Sequence, residues 1–303
     1  MAKKLKPVFP TKTFPNHYSM ATGMYVENHG LIGNQFFDKK LNEFYQIKDR
    51  KKVEDERFYG GEPIWSTAEK QGLKTASYFW VGSEAQAGGH YPSIWKKYDQ
   101  KQSFDARIDS VTKWFNMPIE NRPRLVMLYF HEPDNTGQKY GPRSKENKRM
   151  VESVDRTIGN IINKLKTLKI YQKLNVIIVS DHGMTEVSNY IMLRDLSKQS
   201  GINITASSGP AVAHLFMDQN SKAAALSFFS KQPNIQAYDK DDLPKSFHLN
   251  HPTRTGDIVL ITDPPNMFTN NINAQPKGMH GYSPQLPDMK GIFYAIGAAI
   301  EHK

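Results

Sequence analysis

Two apolar runs that do not alternate set the strongest limit on how this chain can fold. "RLVMLYF" (Arg124 to Phe130) and "NVIIVS" (Asn175 to Ser180) are continuously apolar. Strands with one wet face alternate polar and apolar residues, so unbroken runs of this length predict strands covered on both faces. Between them, "KENKRMVESVDRTIGNIINKLKTL" repeats apolar residues at helical spacing: Met150, Val151, Val154, Ile158, Ile161, Ile162 and Leu165. Strand, long helix, strand is the order of a βαβ unit. It predicts an α/β fold with a mostly parallel sheet and helices on both faces. "GDIVLITD" (Gly256 to Asp263) and "GIFYAIGA" (Gly291 to Ala298) are two further candidate strands. Residues 206–250 mix helix and strand signals and are expected to form a small insertion. No repeat or low-complexity linker divides the sequence, so one domain over residues 1–303 is the simplest expectation.

Composition narrows the chemistry. The 303 residues carry a formal charge of +10, with basic clusters at Lys3 to Lys6 and Lys96 to Lys101. Such a balance suits anionic partners such as phosphates, although a lysine-rich surface is often only a solvated one. Nothing in it calls for specific nucleic-acid binding. There is no cysteine, so disulfides and thiolate metal sites are excluded. Any zinc must be held by histidine and carboxylate. No apolar run approaches the ~20 residues that span a bilayer. "MAKKLKPVFP" is basic but lacks the apolar stretch of a signal peptide.

In doubly wound sheets, functional side chains gather just past the carboxyl ends of strands. "LYF" is followed by "HEPDNTGQKYGP", which carries His131, Glu132 and Asp134. "IIVS" is followed by "DHGM", which sets Asp181 and His182 at a strand tip, with Gly183 relieving the backbone. "GMHGYS" places His280 among glycines ahead of the last strand. Carboxylate and imidazole together suit a catalytic zinc, and they serve equally for ordinary hydrogen bonding. A fourth stretch, "PTKTFPNHYSMATG", predicts a helix with Pro15 in its first turn and Gly23 as its stop. Thr13 then either caps that helix or faces its positive terminus as a nucleophile toward phosphate.

Taken in order, "PTKTFPNHYSMATGMYVENHGLIGN", "YFWVGSEA", "EPDNTGQKYGP", "SDHGM" and "MHGY" resemble the nucleotide pyrophosphatase/phosphodiesterases of the alkaline phosphatase superfamily. The resemblance runs from about Pro7 to Gly297, and "WVGSEA" with the absence of cysteine points to a bacterial-like branch. It implies two zinc ions and a nucleotide or other phosphodiester as substrate. It makes Thr13 the nucleophile, with Asn34 donating its amide to a non-bridging phosphate oxygen beside the Phe14 backbone N–H. Asp181 and His182 would bind the zinc next to Thr13, and Asp134 and His280 the other. Phe14 and Tyr98 would flank a nucleobase, with Trp80 near the same pocket. A periplasmic or extracellular setting follows from the family.

The motif departs from the family in two places. Gln138 stands where the family has a histidine four residues after Asp134, and a neutral amide oxygen is a poorer zinc ligand than imidazole. The family also begins this domain with a strand ending in a zinc-binding aspartate. Only Ala2 to Lys6 precede the matching region here, so a fold shortened at the N-terminus, and at the C-terminus, is expected. The resemblance thus implies either a phosphodiesterase or an impaired homologue that binds nucleotides or partners without turnover. A choline-phosphodiesterase is a third option. The sequence carries no expectation about oligomeric state.

Overall fold

The computed structural model describes residues 3–271, 273 and 275–300. The two apolar runs form strands Leu125–Leu128 and Asn175–Val179. Between them lies helix Lys145–Lys166, whose start is fixed by Ser144: its side chain accepts from the Asn147 N–H. Leu125–Leu128 pairs in parallel with Thr75–Tyr78, which pairs in parallel with Ile94–Lys96 on its other side. Asn175–Val179 pairs antiparallel with Phe293–Gly297, Val179 opposite Phe293.

The predicted strand–helix–strand order is therefore present, but its two strands are not hydrogen-bonded neighbours. Among the described residues each has a ladder partner on one edge only. Apolar periodicity fixes an element's type and leaves its partner open, which is why the sequence could not show this. Burial follows the pairing. Ile177 is 59% exposed although it sits mid-strand, and Leu165 alone on the long helix is fully buried.

The Gly256 run forms strand Ile258–Ile261, which joins an antiparallel sheet. The order there is Gln236–Asp239, Ile258–Ile261, Val212–Phe216, Thr205–Ser208. That sheet, with helix Gln219–Phe229 packed on it, takes up most of the 206–250 region and packs its own apolar cluster around Leu215, Phe229 and Leu260. A second parallel pair joins Asn189–Met192 to Asn266–Thr269. The largest core lies under the Thr13–Thr22 helix and contains Tyr18, Phe36, Tyr45, Phe58, Trp65 and Tyr282.

His29 and His214 are buried in the neutral form away from the acid–imidazole loops. His29 accepts the Leu31 N–H at Nδ1 and donates from Nε2 to Ser19 Oγ (2.8 Å). Burial pushes its pKa down to about 3, and burial likewise pushes His214 down to about 4. In the unfolded chain both titrate near 6.5. The unfolded state therefore binds more protons as pH falls through that value. Their contribution is complete above about pH 6.5 and is lost toward pH 4, at about 1.4 kcal/mol per pH unit for each histidine. Urea titrations at pH 7.5, 6 and 5 are expected to show falling stability. In His214→Asn the slope should be shallower by about one histidine's share, and an unchanged slope would contradict the assignment.

Candidate active site

Thr13 is the first residue of the helix Thr13–Thr22, which ends at Gly23 with φ 67°. The N-cap position belongs to Lys12, in extended conformation and without a side-chain cap bond. The capping role open to Thr13 in the sequence is thus not taken, and its hydroxyl is left free of structural bonds. Among the described residues its one side-chain hydrogen-bonding partner is His182 Nε2, at 3.5 Å. Asn34 Oδ1 accepts the Phe14 N–H at 3.0 Å. This corrects the expectation that the Phe14 N–H is a free phosphate donor: it orients Asn34 instead. An amide oxygen that accepts leaves the Asn34 Nδ2 as the donor end.

The loops after three strands bring four of the predicted ligands together. Asp181 and His182 follow strand Asn175–Val179 after Ser180, Asp134 opens the helix Asp134–Tyr140, and His280 follows the short strand Gly278–Met279. Ligand atoms of Asp134, His182 and His280 all lie within 4.8 Å of one another. Asp181 Oδ2 stands 3.1 Å from His182 Nε2, so it shares with Thr13 one imidazole nitrogen. The two imidazoles are stacked, centroids 3.6 Å apart. Gly183 is needed for close approach: a Cβ there would meet the Asp288 carbonyl oxygen at 2.1 Å.

Hydrogen bonds around the cluster prepare its donor atoms. His182 Nδ1 bonds the Gly183 carbonyl and His280 Nδ1 bonds the Thr11 carbonyl, both at 2.8 Å. Carbonyls only accept, so both Nδ1 atoms carry hydrogen and both Nε2 atoms face the cluster. Asp134 Oδ1 is buried without a hydrogen bond, while Oδ2 accepts from Gln138 Nε2 at 2.7 Å. Gln138 Nε2 is also 3.3 Å from His280 Nε2, so the glutamine reaches the cluster with its amide nitrogen.

Burial and the neighbouring charges shift all four acid and imidazole groups. Burial raises the Asp134 pKa. Burial opposes ionisation of both Asp181 and His182, yet their mutual attraction wins, lowering Asp181 and raising His182. Burial and the neighbouring His182 push His280 well down. A buried carboxylate oxygen with no hydrogen bond, 3.5 Å from His280 Nε2, and two imidazoles presenting Nε2 fit a divalent metal that takes nitrogen and oxygen ligands.

Each aromatic residue singled out in the sequence has a ring partner within the protein. Phe14 packs edge-on to Tyr45, while Tyr98 packs against Phe79 and lies near Tyr129. Trp80 donates to the His17 carbonyl and meets the His17 ring edge-on at 5.0 Å. His131 is drawn toward Arg107 and Phe104, and Glu132 accepts from the Thr136 N–H; neither belongs to the acid–imidazole cluster. Three contributors were missed in the sequence. His17, four residues after Thr13 and so on the same helix face, lies 3.5 Å from Asp181 Oδ2. Thr11 holds the His280 loop by accepting the Gly281 N–H and donating to the Tyr282 carbonyl. Lys12 is pushed down to about 8 by burial, against the pull of Asp134.

Comparison with known proteins defines the class. Residues 1–283 match the family model of type I phosphodiesterase/nucleotide pyrophosphatase, and the chain belongs to that family. It is 36% identical to human ectonucleotide pyrophosphatase/phosphodiesterase family member 1, over 99% of this chain and 34% of that protein. It is equally 36% identical to the venom phosphodiesterase CdcPDE of Crotalus durissus collilineatus, over 100% of this chain and 38% of the venom protein. The chain thus spans about a third of the length of these curated relatives. Murine ectonucleotide pyrophosphatase/phosphodiesterase 5 superimposes with a TM-score of 0.91 at 30% identity, covering 98% of this chain and 80% of that one. This establishes the alkaline phosphatase-like α/β fold. An inactive threonine-to-alanine variant of the same murine protein, in complex with AMP, matches with a TM-score of 0.90.

Proposed function

We propose that the chain is a metal-dependent phosphodiesterase that cleaves nucleotide phosphodiester or pyrophosphate bonds through Thr13. The observation that carries this reading is the placement of an uncommitted threonine hydroxyl at a helix N-terminus, 3.5 Å from an imidazole of an acid–imidazole cluster. The names of the relatives, and inactivation of the murine protein by loss of a threonine, support it. Their names also support an extracellular or periplasmic setting. No described helix is long and apolar enough to cross a membrane.

In this reading Thr13 Oγ attacks phosphorus, the bond to the leaving oxygen breaks with its electron pair, and the hydroxyl proton passes to water. Water then cleaves the threonine ester and restores the hydroxyl. Asn34 Nδ2 and the positive helix terminus face charge on the phosphoryl oxygens. Asp181, His182 and Thr13 would hold one zinc, and Asp134, His280 and Gln138 a second. Zinc at these positions would lower the threonine pKa and stabilise the entering and leaving oxygens. His17 Nδ1 donates to the Thr13 carbonyl and lies beside Asp181, and Thr11 holds His280.

Hydrolysis of bis(p-nitrophenyl) phosphate with added zinc tests the reading. Release of nitrophenolate that chelation abolishes and zinc restores is the expected result. Nucleotide binding with no release would favour the impaired homologue. Gln138 supplies a graded check. Replacing it by histidine exchanges an amide for imidazole beside Asp134 and His280, so Gln138→His is expected to bind zinc about 10-fold or more tightly. The hydrolytic rate should rise with it. Zinc titration with a competing chromophoric chelator reads the affinity directly, and no gain would remove Gln138 from the ligand set.

A further inference from the structure

Arg107 is a fully buried cation on helix Phe104–Phe115, and among the described residues no carboxylate pairs with it. Its guanidinium bonds go to the backbone and to one imidazole. Nε and Nη2 donate to the Gln102 carbonyl at 3.2 and 3.0 Å, and Nη1 donates to the Tyr129 carbonyl at 2.8 Å. Nη2 also stands 3.4 Å from His131 Nδ1. An arginine only donates, so His131 Nδ1 accepts and the ring hydrogen lies on Nε2. The face of the guanidinium covers the Phe79 ring, 4.9 Å from its centroid. Phe79 follows strand Thr75–Tyr78, and Tyr129 follows its parallel partner Leu125–Leu128. Phe79 also has φ 73°, an uncommon backbone state for a bulky side chain. Burying an unpaired cation is costly, and an apolar side chain would fill this space without that cost. What only the arginine supplies is a fork that joins the ends of two paired strands.

We propose that Arg107 is a positioning residue that sets the separation between the Asp134 and Asp181 sides of the acid–imidazole cluster. The inference rests on the metal-dependent phosphodiesterase reading for its consequence, although among the described residues Arg107 bonds none of the four acid and imidazole groups. One leg runs through His131, three residues before Asp134, whose Oδ1 lies 3.5 Å from His280 Nε2. The other leg runs through Tyr129. Its carbonyl is tied to Arg107, and its ring meets His17 edge-on at 5.1 Å. His17 bonds the Thr13 carbonyl and lies 3.5 Å from Asp181 Oδ2. Trp80, next to Phe79, closes the same path by donating to the His17 carbonyl. Arg107 thus fixes both the loop that carries Asp134 and the packing against the start of the Thr13 helix. Lysine keeps the charge but cannot reach two carbonyls and a ring nitrogen with one planar group.

Zinc titration of the full chain against a chromophoric chelator, with urea unfolding as the stability control, tests this. Groups that orient metal ligands change affinity by ~10–100-fold when lost, so Arg107→Met is expected to weaken zinc binding at least ~10-fold. Removal of a buried arginine can also unfold the chain, so His131 supplies a milder cut. His131→Leu removes the acceptor from a half-buried position and is expected to weaken zinc at least about fivefold. His131→Asn places an oxygen where Nδ1 stood, can still accept from Arg107, and should bind zinc within about twofold of the wild type. A merely structural role for the ring would not separate leucine from asparagine in this way. Wild-type affinity in His131→Leu, or the same loss in both His131 variants, would overturn the proposal. Histidine-ring NMR of the zinc-free protein separates this claim from the hydrolase reading. The His280 ring signals should shift in His131→Leu and return in His131→Asn, whether or not the chain takes up zinc or cleaves a diester. Signals that stay in place in the leucine variant would overturn the proposal.

Discussion

Thr13→Ala is expected to lower phosphodiesterase turnover by at least ~10³-fold while leaving the fold intact. The two halves of this prediction come from the same geometry. The hydroxyl caps nothing and, among the described residues, has one hydrogen-bonding partner, His182 at 3.5 Å, so its removal orphans no buried group. Stability should change by about 0.5 kcal/mol or less. No other serine or threonine hydroxyl contacts the acid–imidazole cluster among the described residues, so no neighbour replaces the nucleophile. Binding of AMP, read by thermal shift, should survive the substitution. Thr13→Ser keeps the oxygen and should retain measurable turnover. An alanine variant with half the wild-type rate would remove Thr13 from the chemistry.

The second large effect concerns stability. Arg254 is 5% exposed and Asp38 3% exposed, and Arg254 Nε donates to Asp38 Oδ2 at 2.7 Å. The same guanidinium donates to the carbonyls of Gly30, Phe58 and Arg57, and lies over the Phe36 and Phe58 rings. It therefore ties the loop before strand Ile258–Ile261 to the segment that carries Asn34. Burial pushes the Asp38 pKa up, but the Arg254 hydrogen bond and charge outweigh it, and the net shift is down. Arg254→Ala removes the counter-charge from the buried Asp38 carboxylate, which keeps the Lys40 and Leu41 N–H groups, and strips a donor from three carbonyls, at a cost of ~3–5 kcal/mol. Arg254→Lys keeps the charge but loses the planar fork, and should fall between the two. Urea unfolding measures both. A loss under ~1 kcal/mol in the alanine variant would show the ion pair to be dispensable.

Much of this site was readable in the sequence because its residues sit at the ends of recognisable strands. Asp181, His182, Asp134 and His280 were each legible as a polar group following or preceding an apolar run, and the structure gathers them. Thr13 was legible as a helix start followed by Pro15. What stayed hidden depends on distances between segments far apart in sequence. The Phe14 N–H looks free until Asn34, twenty residues on, is folded back to accept it. Thr11 looks like loop punctuation until the His280 loop, 269 residues away, docks on its carbonyl. Lys12 reads as one more surface lysine in a basic chain, and only packing against Gly281 and Gly209 shows otherwise. His17 could have been found from its i+4 spacing to Thr13. The pairing of strands was equally out of reach, since two fully apolar runs look alike whether they neighbour each other or not.

The central claim, that Thr13 becomes covalently bonded to the substrate phosphorus, is tested most directly by rapid acid quench. The protein is mixed with zinc and ATP, stopped within milliseconds, digested and mapped by mass spectrometry. A phosphodiester of threonine survives acid, so the intermediate is preserved. The predicted result is an added nucleoside monophosphate on the peptide containing Thr13, present in the wild type and absent in Thr13→Ala. Turnover of ATP with no adduct on that peptide, or an adduct that persists in the alanine variant, would contradict it.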